Sequence, residues 1–135
     1  MTRHGTRTAA GCARATALAL GALAFAALLG GPVAAEEGES MTVQGEVVDL
    51  ACYLPRGDKG RGATHQECAE MCAKGGAPLG VLSADGTVAL LIEDHARPAP
   101  YGQVRKLAGQ QVEVQGKKYT RGGVTGLMVA TVTQR

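Results

Sequence analysis

Apolar positions along the chain follow three rhythms. Ala15 to Leu29 (ATALALGALAFAALL) is an unbroken apolar run, preceded by a stretch that carries Arg3, Arg7 and Arg14 and no acidic residue. From Met41 onward the apolar residues fall into short β-branched segments, partly alternating with polar ones and divided by Gly, Pro and Asp, which is the signature of half-buried strands. One polar and Ala-rich segment, HQECAEMCAK at 65–74, interrupts them with good helix formers instead.

These rhythms predict an order of elements. Met41 to Leu54 reads as a long first strand, with Gly45 marking a bulge or bend, and Pro55 to Ala63 as a Gly-rich polar loop. Thr64 and Glu67 have the spacing of a capping box, so a helix is expected to start there and to stop at Gly75-Gly76. Pro78 to Ser83, the turn Ala84-Asp85-Gly86 and Thr87 to Glu93 predict a β-hairpin. Asp94 to Pro100 is an irregular connection, Tyr101 to Leu107 a short helix ending at Gly109, and Gln111 to Thr120 and Val124 to Thr133 are two further strands joined at Gly122-Gly123. The expected class is therefore mainly β. Five strands with a helix between the third and fourth fit a small OB-like barrel, with a Cys-bearing helix inserted between strands one and two.

The N-terminal rhythm has a separate meaning. A basic stretch, an apolar run, the breakers Gly30, Gly31 and Pro32, and the small residues Val33-Ala34-Ala35 read as a cleavable export signal with cleavage before Glu36. Fifteen apolar residues are fewer than the roughly 20 that span a bilayer, so a cleaved signal is favoured over a membrane anchor. Residues 36–40 (EEGES) form a short acidic linker to a domain at 41–135, in a periplasmic or secreted compartment.

Composition changes once the signal is set aside. The whole chain has 14 Lys+Arg, 12 Asp+Glu and four cysteines, but three basic residues, no acidic residue and Cys12 lie in residues 1–35. The remaining 100 residues carry 11 basic against 12 acidic groups, a formal −1, and three cysteines, a number that cannot all pair within one chain. A net negative domain whose aromatic residues are Tyr53, Tyr101 and Tyr119 makes a poor platform for nucleic acid. No membrane partner is expected after cleavage, and another exported protein is the remaining class of partner. No Ser-His-Asp arrangement, phosphate loop or paired catalytic carboxylates stand out, so an enzyme is not expected.

The chemistry is concentrated at Cys52, His65, Cys68 and Cys72. On the expected helix Cys68 and Cys72 are four residues apart and share a face, with His65 one turn earlier. Cβ atoms at that spacing are about 5–6 Å apart against the roughly 3.8 Å of a disulfide, so Cys68 and Cys72 should not pair with each other. Three thiolates and an imidazole are the Cys₃His set of zinc sites, and three thiolates alone suit Cu(I), with Met71 as a possible further ligand. The rival arrangement is a disulfide from Cys52 to Cys68 or Cys72 that staples the helix to the first strand and leaves one thiol over. Metal is favoured over the staple because it employs all three sulfurs and the histidine, as structural ion, carrier or sensor. A thiol-redox role ranks third, there being no Cys-x-x-Cys. His95 and Met128 read as a solvated loop residue and a core residue rather than ligands.

The runs Gly45-Glu-Val-Val-Asp49-x-x-Cys52, His65-x-x-Cys68-x-x-x-Cys72-x-x-x-Gly76 and Leu107-Ala-Gly-x-x-Val112-x-Val114-x-Gly116 resemble a group of small exported bacterial proteins of unknown function. The likeness extends over most of residues 43–134. It implies an OB-like exported domain with the three cysteines and the histidine as its distinctive feature, and it implies no activity.

Overall fold

The structure, a computed structural model, describes residues 38–135. The expected export signal lies outside the described residues. Five strands, β1 (Glu39–Asp49), β2 (Leu79–Leu82), β3 (Val88–Ile92), β4 (Gln111–Arg121) and β5 (Val124–Gln134), close into a barrel in the order β1-β2-β3-β5-β4. Neighbours are antiparallel except β3 and β5, which run parallel with Leu91 opposite Leu127. Three short helices, α1 (Leu50–Arg56), α2 (Gln66–Lys74) and α3 (Ala99–Lys106), complete a mainly β domain, with single 3-10 turns at Gly57–Gly60 and Ala63–His65.

Strand β1 serves two edges. Its residues Glu39 to Glu46 pair with β4 and Glu46 to Asp49 with β2, so the strand changes partner at Glu46. Gly45 stands at this changeover because a Cβ there would collide with the Leu82 carbonyl oxygen. Of the expected bulge or bend, no bulge lies at Gly45, which stays in register opposite Val112; the register shift lies in the β4–β5 pairing, where Gln115 and Gly116 face Thr131 and Val129 and β5 carries Ala130 as an extra residue. β1 also begins earlier than expected, since Glu39 and Ser40 of the expected linker pair with Lys118 and Lys117. At the far end, β4 and β5 meet at Gly122-Gly123, both with positive φ, as a two-residue hairpin turn matched to strand twist requires.

Alternation fills the barrel. Val43 and Val47 of β1, Val112 and Val114 of β4, and Leu127 and Val129 of β5 point inward with Leu79, Val81 and Leu91. Side chains of this kind contribute about 1.5–3 kcal/mol each when fully buried. Helix α2 adds Ala69 and Ala73, and α3 adds Tyr101 and Val104. None of the three cysteines belongs to this contiguous core. Met128, expected in the core, lies between two inward residues of β5 and is half-buried.

The largest departure from expectation is at the end of β1. The strand stops at Asp49 and Leu50–Arg56 is helical, where a strand through Leu54 was expected. The reason is local: the Asp49 side chain accepts the backbone N–H of Cys52 at 2.8 Å, an N-cap that satisfies a first-turn donor and starts the helix. Helix α1 ends at Gly57, whose φ of 55° suits glycine. Similarly, the expected capping box does not form, because the 3-10 turn at Ala63–His65 leaves Thr64 outside α2 and His65 takes the N-cap position without a side-chain cap bond. The helix stop is as expected. Ala77 N–H donates to the Cys72 carbonyl and Gly76 N–H to that of Ala73, with Gly76 at φ 87°, which is a Schellman motif.

Candidate metal centre

Two helices and a turn converge on one place. Helix α1 carries Cys52 in its first turn, pinned by Asp49 at the end of β1. Helix α2 carries Cys68 and Cys72 on one face, and the turn before it carries His65. The sulfurs of Cys52, Cys68 and Cys72 all lie within 4.8 Å of one another. Thiolates on one tetrahedral ion with bonds of about 2.3 Å stand about 3.7 Å apart, so small side-chain rotations suffice to close the set. The three cysteines are free thiols, and neither of the expected staples from Cys52 is formed.

The expected Cys₃His set is not one cluster. His65 groups with Asp49 and Cys52, whose ligand atoms also lie within 4.8 Å of one another, rather than with Cys68 and Cys72. His65 is the residue before α2, and its Nε2 stands 3.3 Å from Asp49 Oδ2. Two donor triads therefore share Cys52. Met71, considered as a further ligand, is 70% exposed on α2. His95 is exposed in its loop.

Asp49 is the site residue that sequence reasoning missed. It is fully buried, and it faces the Cys52 backbone N–H and the His65 ring. Its signal was present in the spacing Asp49-x-x-Cys52, which is that of an N-cap and the third residue of a helix.

The surroundings favour the protonated form of two of the three thiols. Burial, then hydrogen bonding to Asp49 and its negative charge, push the Cys52 thiol up to about 12. Burial and the Asp49 charge also raise Cys72. Such thiols are poor nucleophiles near neutral pH, and a bound cation would reverse the effect by stabilising the thiolates.

A pocket of about 690 Å³ lies beside this region, lined by Glu46, Tyr53, Asp58, Arg61, Gln111 and Arg135 among others and by none of the three cysteines. Its buried Glu46 accepts the Gly62 N–H at 2.6 Å, tying the loop before α2 to β1.

No protein-family model, curated protein or solved structure matches this chain.

Proposed function

We propose that this domain binds a d¹⁰ transition-metal ion, Zn(II) or Cu(I), through Cys52, Cys68 and Cys72, and that it acts after export as a small metal carrier or sensor. The observation that carries the reading is the convergence of three sulfurs from two helices within 4.8 Å of one another. Soft thiolates select these ions over hard ones. A carrier or sensor is favoured over a structural staple because the barrel core contains no cysteine and so does not depend on the ion. Cys68 and Cys72 are also only half-buried, which suits an ion that exchanges. Binding is favoured over thiol catalysis because the chain has no Cys-x-x-Cys and its three thiols converge as a ligand set.

The barrel itself we read as OB-like: the β1-β2-β3-β5-β4 closure with α3 between β3 and β4 agrees with that architecture. The N-terminal basic and apolar segment supports export, and the exchange partner is then another exported protein. Nucleic acid is not a partner in this reading.

The test is to purify the exported domain without chelators or denaturants and to measure metal and free thiols. At least one Zn or Cu per chain, with three thiols that titrate fully only after chelation, supports the proposal. No metal, together with one free thiol and a mass two hydrogen atoms below the reduced chain, overturns it in favour of a stapled binding module.

A further inference from the structure

The second triad has the chemistry of a metal site in its own right. Asp49, Cys52 and His65 offer a carboxylate, a thiolate and an imidazole, all three residues are buried, and their ligand atoms lie within 4.8 Å of one another. The separation of His65 Nε2 from Asp49 Oδ2, 3.3 Å, is long for a charge-assisted hydrogen bond, which favours about 2.7–2.9 Å. It equals the edge of a tetrahedron whose two ligand bonds are about 2.0–2.1 Å, as for nitrogen and oxygen on Zn(II). The carboxylate is fully buried, and the groups that face it are the Cys52 backbone N–H, the Cys52 thiol and the His65 ring, so a cation between Asp49, Cys52 and His65 would have ligands of all three kinds beside a buried negative charge. Cys52 is the member common to this triad and to the three-thiol set, and a thiolate sulfur, with three lone pairs, can hold two cations at once.

We propose that the domain holds two Zn(II) ions with Cys52 Sγ as a bridging ligand, one ion completed by Cys68 and Cys72 and the other by His65 and Asp49. The proposal rests on the three-thiol reading above and extends it. Loading both ions releases one proton from each of the three thiols to solvent, the Cys52 proton being lost once for the shared thiolate; no oxidant or reductant is required. The two sites differ in character. The first is sulfur-rich and half-exposed, and the second is mixed in donor type and buried. A soft ion such as Cu(I) would therefore fill the first and leave the second.

The experiment titrates the reduced, metal-free chain with Zn(II) against a chromophoric chelator, for the unaltered protein and for His65→Gln, Asp49→Asn and Cys68→Ser. Far-UV circular dichroism and thermal unfolding accompany each variant, so that a fold defect in Asp49→Asn is distinguished from a lost ligand, and His65→Gln carries the same test without touching the α1 cap. The expected result is two equivalents bound by the unaltered chain and one by His65→Gln and by Asp49→Asn. Cys68→Ser should lower the affinity of one equivalent and leave the other. Saturation at one equivalent, or two equivalents that persist in His65→Gln, overturns the bridged pair while leaving the three-thiol site standing. Absence of any Zn(II) binding overturns both.

Discussion

Asp49 Oδ1 accepts the backbone N–H of Cys52 at 2.8 Å. This one bond ends β1, starts α1 and sets the first thiol over α2. Its other oxygen faces His65, so the residue links fold and site. Asp49→Ala should cost about 1–2 kcal/mol for the lost cap, and a His65 left buried without its partner adds about 1–3 kcal/mol. Asp49→Asn keeps an oxygen for the cap and should cost clearly less. Urea unfolding of the reduced, metal-free domain checks the ranking; equal losses for the two variants would contradict the cap.

The raised thiols give the metal-free domain a pH signature. The Cys52 thiol has a higher affinity for its proton in the folded chain, about 12 against 9.0, and Cys72 shifts in the same direction. The folded state therefore binds more protons than the unfolded state in this window, and stability is intact below about pH 9 and falls as pH rises toward 12. Cys52→Ala should flatten that fall, as read from urea midpoints across the range. Alkylation at pH 8 should also modify Cys52, the most buried of the three, last; mass mapping in which Cys52 reacts first would contradict the environment described here.

Metal should be an addition to the fold rather than its cause. Because the contiguous core contains no cysteine, the chelated and reduced domain should keep its far-UV circular dichroism and a cooperative thermal transition. Free metal at 100 times its Kd should then raise stability by about 2.7 kcal/mol. A chelated domain that unfolds outright would assign the ion to structure instead.

The strands were the legible part of this chain. Val112 and Val114 alternate with polar neighbours, and Gly122-Gly123 supplies the two positive-φ positions of the final hairpin, so local chemistry and tertiary burial agree there. The end of β1 was not legible as helix because LACYLPR has strand-like neighbours on one side and Pro55 within it; the outcome turned on a single side-chain acceptor, Asp49. The thiols were legible because Cys68 and Cys72 at a four-residue spacing share a helical face whatever the helix's first residue. The surroundings of His65 were not legible: it lies in a 3-10 turn at Ala63–His65, and its ring faces a carboxylate 16 positions earlier in the chain. That pairing is a tertiary contact, and no local spacing encodes it.

The central claim is that Cys52, Cys68 and Cys72 bind one ion together. X-ray absorption at the metal edge, on the reduced domain loaded with one equivalent of Cu(I) and separately of Zn(II), reads this directly. The account predicts a first shell of three sulfurs for Cu(I), and for Zn(II) a sulfur-rich shell with Zn–S near 2.3 Å. A shell of nitrogen and oxygen alone, or a sulfur shell unchanged when Cys52 is replaced by Ser, would contradict it.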